Sequence, residues 1–596
     1  MKTRWKVLIG IVFFLLVLAF AGSWYLSKHW KPIVNDRLQS LVASSTDSLY
    51  RLSYDDFDFS WHNGSAYLTN VHLVADSQVY ERLKRESRAP DNRYRIAIKA
   101  INIRNFHPKR LYQSRKLNID ELTIESASVS VISEDVFQDT TQVKATKTLY
   151  QQISGYLNEI RVSQLNINDL SYAFENRSDS NARQTDLRNI NIAIDDVLID
   201  SLSRQDSARL YYTQGIQFRM DGYQIATADS LYYVDLKGIA FSTSERSLTV
   251  NRIALKPRKS KKDFSSSGAA ERIDLAFDSL SLAEIDIREL LKSQRFRAGH
   301  LRISKGFVEV YRDAGSAKVK KRPSKRELKD PHDHLKSFAR NIQIDSVELA
   351  RVDVAYEELS KNTRLPGRIT FNRSRVRLRN VTNDSLRMRK DRFLQVDIDS
   401  RFMNAATLEA RFVFDMLSDE GDFQYRGKLG SLNGKRLNTV LRPLALVEIE
   451  SAAIRSLAFN FKGNKRRTVG AVDFRYHAMK INMLKLEGGR IADDKLVSNL
   501  ANSFILNPSN PDAEGKFIKA NVRMTRPHDY SFFKLVWRSI FQGIKTSAGV
   551  NEEREAQLKK TAEGAKNVVD KTKKTAKQVG TFFKEVFNKK EKKKDE

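Results

Sequence analysis

A seven-position apolar ruler recurs along this chain, and it restricts the fold more than any other feature of the sequence. In Ile160, Val162, Leu165, Ile167, Leu170, Tyr172 and Phe174, apolar residues alternate with polar ones, except that two residues instead of one intervene after the second and fourth positions. The same offsets return in Leu117, Ile119, Leu122, Ile124, Ala127, Val129 and Val131, in Ile342, Ile344, Val347, Leu349, Val352, Val354 and Tyr356, and in Val447, Ile449, Ala452, Ile454, Leu457, Phe459 and Phe461. Phe296, Ala298, Leu301, Ile303, Gly306, Val308 and Val310 repeat them with glycine in one apolar place. Shorter copies start at Ile96, Val234 and Leu280. Alternation with period two marks half-buried strands. A slip of one residue would turn every later side chain to the other face, and an extra residue held in a β-bulge cancels that flip while bending the strand. The ruler therefore predicts a mostly β protein, an elongated and strongly curved sheet whose continuous apolar face forms a groove with an apolar lumen.

The first 27 residues carry a different signal. Lys2, Arg4 and Lys6 precede an uncharged run from Val7 to Leu26, and Lys28 and Lys31 follow it. Twenty helical residues span ~30 Å, the thickness of a bilayer core, and Trp5, Trp24, Tyr25 and Trp30 stand at its two boundaries, where amphipathic rings settle. The pattern predicts a retained transmembrane helix with a cytoplasmic amino end and an exported body. The rival is a cleaved signal peptide, for which Ala19-Phe20-Ala21 offers a small-x-small site. The absence of cysteine suits an oxidising compartment and excludes disulfides, thiolate metal sites and cysteine nucleophiles together. A net charge of +31 points to anionic partners, either nucleic acid or membrane head groups.

From Gly427 the sequence reads GKLGSLNGKRLNTVLRPLALVEIESAAIRSLAFNFKGNKRRTVGAVDFRYHAMKINML; FILNPSNP follows from Phe504, and RPHDYSFFKLVWRSIFQGIKTSAGV from Arg526 to Val550. A G-x-L strand, a short leucine-rich helix, an I-x-S-x-x-I-x-S-L-x-F-like strand and an aromatic, basic closing segment in this order resemble the carboxy-terminal part of AsmA-like proteins of Bacteroidota-type bacteria. Over residues 28–426 only the ruler and the anchor carry the resemblance. It implies a hydrophobic β-groove anchored in the inner membrane of a Gram-negative bacterium and reaching into the periplasm, with a role in phospholipid transport and outer-membrane homeostasis. It brings no catalytic residues or cofactors. The expected organisation is an anchor at 1–27, a repetitive β-groove at 28–525, an aromatic amphipathic helix at 526–550 and a basic helical or disordered tail at 551–596.

The residues expected to line the groove are Ile160, Val162, Leu165, Ile167, Tyr172 and Phe174, then Leu301, Ile303, Val308 and Val310, then Ile342, Ile344, Val347, Leu349, Val352, Val354 and Tyr356, and finally Ile449, Ile454, Leu457, Phe459 and Phe461. In the closing segment, Phe533, Trp537, Ile540, Phe541 and Ile544 fall on one side of a helix at three- and four-residue intervals. That helix either rests on a membrane or caps the groove, or else it simply closes the sheet core. In the tail, Phe583 and Phe587 share a helical face within a small apolar cluster.

Other chemistry fits poorly. Gly430–Lys435 has three residues between its glycines, and Arg436 stands where a phosphate loop needs Ser or Thr. His332-Asp333-His334 lies in a basic loop without a convincing third ligand. The acids of Ile194-Asp195-Asp196 and Asp397-Ile398-Asp399 fall on the polar strand face, so an acid–base pair is not expected. The basic residues are spread over strand faces, loops and tail, outside any nucleic-acid motif. Phospholipid is therefore the expected partner and nucleic acid is not. Residues 7–26 provide the inner-membrane contact, other envelope proteins are further candidates, and assembly scaffolding for outer-membrane proteins is the alternative function.

Overall fold

In the computed structural model the described residues are 39, 42–43 and 46–549, apart from 61–62, 135–147, 178–183, 266–270, 316–329, 489, 494–497, 499–501, 503–505 and 528–529. The expected anchor and the tail lie outside them, as does the stretch 316–329 ahead of His332. The fold is mostly β, 59% strand against 17% helix, with 22 strands in a mixed sheet that does not close on itself. Among the described residues no helix is long and apolar enough to cross a membrane. The chain divides into two compact units: residues up to Tyr223 with Leu236–Val250, and Gln224–Asp235 with the residues from Asn251 onward.

In the first unit, β1 (Tyr50–Ser53) and β2 (Asp56–Ser60) both pair with β3 (Ser65–Ala75). An antiparallel run then leads to β4 (Asn92–Phe106) and β5 (Lys116–Ser133). The step from β5 to β6 (Glu159–Asn176) is parallel, and β7 (Gln184–Ile199) and β8 (Gly215–Ala226) continue antiparallel. One helix, α1 (Ser77–Arg85), is capped by Asp76 and buries Tyr80 and Leu83. Leu117, Ile119, Leu122 and Ile160, each about 1% exposed, lie at the centre of a dense hydrophobic cluster.

β9 (Tyr232–Ser242) pairs with β10 (Ser247–Pro257), and these two strands, like the end of β8, contribute residues to both units. In the second unit β11 (Arg272–Ala283) is antiparallel to β12 (Phe296–Asp313), and β12 is parallel to β13 (Ile342–Leu359). An antiparallel meander follows through β14 (Pro366–Thr382), β15 (Phe393–Phe402), β16 (Ala406–Asp415) and β17 (Phe423–Leu429). The two-residue β18 (Leu432–Asn433) and the helix α2 (Asn438–Ala445) precede β19 (Val447–Gly463), which pairs with β17, β18 and β20 (Arg467–Glu487). β21 (Arg490–Asp493) and β22 (Lys519–Thr525) flank β20, and helix α3 (Phe532–Ser547) packs on β20 and β22.

The second break of the ruler has a backbone cause in four of its five full-length copies. Ser126, Asp169, Lys305 and Arg351 sit in β5, β6, β12 and β13 with φ between +47° and +59°, each directly before the fifth ruler position. Asn70, Asn105, Asn189, Arg373, Asn380 and Ala478 repeat this left-handed conformation in other strands. Each extra residue restores the apolar side chains to one face. Ruler copies also pair with one another in parallel, position by position: Leu117 with Ile160, Ile124 with Ile167 and Val131 with Phe174 in one pair of strands, and Ile303 with Leu349 and Val310 with Tyr356 in the other. Neighbouring bulges therefore lie at the same level, and the Ser126 hydroxyl donates to Asp169 across them at 3.1 Å. Gly306 replaces an apolar residue because a β-carbon there would overlap the Ala276 carbonyl and the Phe277 ring.

Candidate functional site

The pairing registers of β11 to β14 lay out four apolar rows on one face of the second unit. Leu282, Leu301, Val347 and Leu378 form one row, and Leu280, Ile303, Leu349 and Val376 the next. Leu275, Val308, Val354 and Phe371 form the third, and Ile273, Val310, Tyr356 and Ile369 the fourth. Leu282 and Val347 are buried, and the other fourteen are half-buried. None of the sixteen belongs to the first unit's cluster or to the second, which is built mainly from β15–β20, β22 and α3. Nine residue steps along a strand and three strand spacings across make a face of roughly 14 by 25–30 Å. That is about the area at which an apolar patch calls for a partner.

Helix α2 touches one margin of this face. It packs on β14, where the leucine side chain of Leu444 fills the space over Gly367, and the Thr363 hydroxyl donates to the Pro443 carbonyl at 2.9 Å. At the fourth row, burial pushes the Tyr356 hydroxyl pKa up, and that hydroxyl donates to Glu358 at 2.7 Å. The opposite face of the same strands is ionic. Arg368 and Lys261 each bridge Glu309 and Glu357 at 2.9–3.1 Å. Asp397 lies between Arg379 and Arg411, and Arg377 meets Asp399 at 2.9 Å. Farther along, on β14–β19, a depression of about 460 Å³ is lined by Arg377, Asp397, Asp399 and Arg411 among others. Burial alone would raise the Asp397 carboxyl, but Arg411 and Arg379 outweigh it and hold the group below the usual carboxylate range. Asp196 is held low in the same way, against burial, by Arg209 and Arg161. Carboxylates so paired are structural anions rather than proton donors near neutral pH.

The expected lining residues divide into four groups. Leu301, Ile303, Val308 and Val310 of β12, with Leu349, Val354 and Tyr356 of β13, lie in the half-covered rows, and Ile342 is also half-buried. Val347 in the rows, together with Ile344 and Val352 on β13, is buried. Ile160, Val162 and Ile167 are core residues of the first unit, with Leu165, Tyr172 and Phe174 packed against that core. Ile454, Leu457, Phe459 and Phe461 are packed in the second cluster, where Phe461 stacks on Tyr425 with ring centres 5.0 Å apart, and Ile449 is likewise buried. The β14 members Ile369, Phe371, Val376 and Leu378 were not among the expected lining. Their signal is an alternation with arginine in ITFNRSRVRLRNV, interrupted at the left-handed Arg373.

Helix α3 is rotated from its apolar stripe. It docks through Phe532, Leu535, Val536, Ser539, Ile540, Gly543 and Ser547, all buried. Of the expected interface residues, Ile540 belongs to this docked face and Ile544 packs against the cluster, while Phe533 and Trp537 are 69% and 51% exposed. Phe541 stacks on Trp537 at 5.7 Å.

Among the described residues, Asp330, His332 and Asp333 offer ligand atoms within 4.8 Å of one another. They differ from the His332-Asp333-His334 run considered on sequence, since His334 is exposed. Both carboxylates already face cations. Asp330, fully buried, accepts two bonds from Arg526 at 2.9 and 2.7 Å, and Asp333 lies 3.5 Å from Lys465. His332 is fully buried beside Phe414, and neither ring nitrogen has a hydrogen-bond partner. With guanidinium and ammonium compensating both acids, the set fits an interior ion-pair network better than a cation site. No protein-family model matches the sequence, and no curated protein is significantly similar to it.

Proposed function

We propose that this chain is an AsmA-like protein that shields and conducts phospholipid acyl chains along a hydrophobic β-groove. In this reading it is held in the inner membrane by residues 7–26, with its body in the periplasm, and it supports outer-membrane lipid homeostasis. The observation that carries the proposal is the set of half-covered rows on β11–β14, apolar on one face and ionic on the other. Together the four rows extend roughly 25–30 Å along the strands, room for an extended acyl chain, and each methylene transferred from water onto them contributes ~0.8 kcal/mol. Eight methylenes would give ~6 kcal/mol without any specific pocket. Head groups would remain at the open margin, in contact with water and charged residues. The amino-terminal pattern and the carboxy-terminal resemblance supply the membrane and the compartment.

The test is mass spectrometry of lipid retained by the full chain after extraction in mild detergent. Wild type should carry phospholipid, and Val308→Asp with Leu349→Asp should lose most of it while keeping expression and membrane attachment. Equal lipid on both proteins, or none on either, would remove the groove reading.

A further inference from the structure

One end of the first unit's strands gathers exposed apolar and aromatic tips. Here β4 finishes, β5 and β6 start, β7 finishes and β8 starts, so the connections lie over five neighbouring strands, ~20 Å across. Tyr112, on the short helix Pro108–Ser114, is 79% exposed, Tyr156 71%, Leu202 70% and Tyr211 64%, four of the six most exposed large apolar side chains among the described residues. Such side chains are ordinary when scattered singly, not when gathered at one strand end. Turns hold three of them outward. Tyr156 stands between the buried Ile153 and Leu157, and its N–H donates to the Ile153 carbonyl at 2.8 Å. The Asp200 carboxylate accepts from the N–H groups of Leu202 and Ser203 at 2.9 and 2.6 Å, and Ser203 is buried. Tyr211 and Tyr212 are the two centre residues of a hairpin turn closed by Leu210 and Thr213, with φ +47° and +75°. That backbone favours Asn-Gly, because a β-carbon crowds it. Tyr212 packs on the first unit's cluster, whereas the exposed Tyr211 breaks a local folding rule with no packing in return, as residues kept for function do.

The same end carries unmatched positive charge. Lys109, Arg110, Arg115 and Arg204 are exposed, and among the described residues their side chains have no ion-pair or hydrogen-bond partner. The acids beside them are engaged: Glu159 meets Lys116 at 2.8 Å, Asp206 meets Arg209 at 3.3 Å, and Asp200 holds its turn. We propose that this strand end seats on an anionic phospholipid bilayer surface, with the four tips in the head-group layer and the four cations on the lipid phosphates. Tyrosine favours that layer, and each basic residue near an anionic surface adds attraction that salt screens. A bilayer suits the arrangement better than a protein does, since the tips stand singly among cations and the core of a protein interface is depleted of charge. A second copy related by a twofold axis would set the same four cations against themselves. The inference stands apart from the groove, because it needs only the first unit and its strand ends.

The chain has no cysteine, so single cysteines can carry an NBD fluorophore, which brightens on leaving water. The test places the full chain in phosphatidylcholine nanodiscs, with the label on Tyr112→Cys, Tyr156→Cys or Leu202→Cys. The control label is on Gln78→Cys of α1, at the other end of the same strands. Phosphatidylglycerol, added as vesicles or included in the disc itself, should brighten the three tips by about twofold or more and leave the control unchanged, and brightening in either arrangement supports the proposal. Phosphatidylcholine vesicles should do little. Lys109→Gln, Arg110→Gln, Arg115→Gln and Arg204→Gln together should remove most of the brightening in whichever arrangement shows it. Tyr211→Asn, which suits the left-handed backbone better, should weaken the response of the Leu202→Cys label and leave the thermal midpoint equal or higher. Absent brightening in both arrangements overturns the proposal, as does brightening that the control shares or that ignores lipid charge and the four cations. Equal brightening by soluble poly-glutamate would make the partner an acidic protein and overturn it too. So would a midpoint lowered by Tyr211→Asn, which would make that ring part of the fold.

Discussion

Arg351 holds φ +59° in the middle of β13, and nothing about an arginine announces a left-handed backbone. What announces it is the pair of polar residues between Leu349 and Val352, where alternation would place one. The same applies to Ser126, Asp169 and Lys305, so the bulge positions were legible from spacing although their residue types are mixed. A β-branched residue pays a steric cost in this conformation that glycine avoids. Arginine already bears ~1–2 kcal/mol of this strain, so Arg351→Gly should leave the second unit as stable or more so in urea unfolding, whereas Arg351→Val should destabilise it further. Equal losses would mean that the bulge is not the constraint. The contact between Asp330 and Arg526 was not legible, because 196 residues separate the partners and either alone reads as a loop charge. Arg526→Met, which strands a fully buried carboxylate, should cost ~3–5 kcal/mol, and adding Asp330→Leu should recover much of it. His332 beside this pair sets a pH dependence. Burial lowers its pKa against the pull of Asp333 and Asp330, so the unfolded chain takes up the proton first. Stability should be indifferent to this group above about pH 6.5 and fall as the pH drops through that value, by at most about 1.4 kcal/mol per pH unit. His332→Leu should flatten that slope in a comparison of urea midpoints between pH 7.5 and 5; an unchanged slope would mean the ring is protonated or hydrated in the fold.

Among the elements, the strands followed their pattern and helix α3 did not. Strand faces are fixed by a period of two and by bulges, both written in the sequence, and the parallel pairing of β5 with β6 and of β12 with β13 explains why those copies share offsets. Bulged strands pair along their whole length only if the bulges coincide, as Ser126 and Asp169 do. The helix presents two apolar faces, and hydrophobicity alone selected the more aromatic one. Closeness of approach selected the other, since Ser539, Gly543 and Ser547 let the backbone reach Val472. Gly543→Leu should thus overpack this contact and cost ~1–3 kcal/mol, while Trp537→Ala on the exposed ridge should stay within ~0.5 kcal/mol. A reversed order of these two losses in denaturant melts would place the wrong face on the sheet.

At the scale of the whole molecule the apolar ruler serves two ends. Along β5 and at Ile160, Val162 and Ile167 of β6 in the first unit, and under α3 in the second, its side chains are packed to less than a tenth exposed and account for stability, while Leu165, Leu170, Tyr172 and Phe174 of β6 are half-buried. On β11–β14 the same spacing yields rows that stay half-covered. The sequence pattern is the same in both cases, so which copies would become core and which would stay open could not be read from it. That difference arises from what packs opposite each strand, and helices such as α3 declare themselves only once docked. The most direct measurement of the central claim is site-specific photo-crosslinking in intact cells, with the probe at Ile303, Leu349 or Val354 in the rows and at Glu348 or Asp353 on the opposite face. Phospholipid adducts at the first three and none at the last two are the predicted result. Adducts at both sets alike, or at neither, would contradict it and leave the rows as ordinary packing surface.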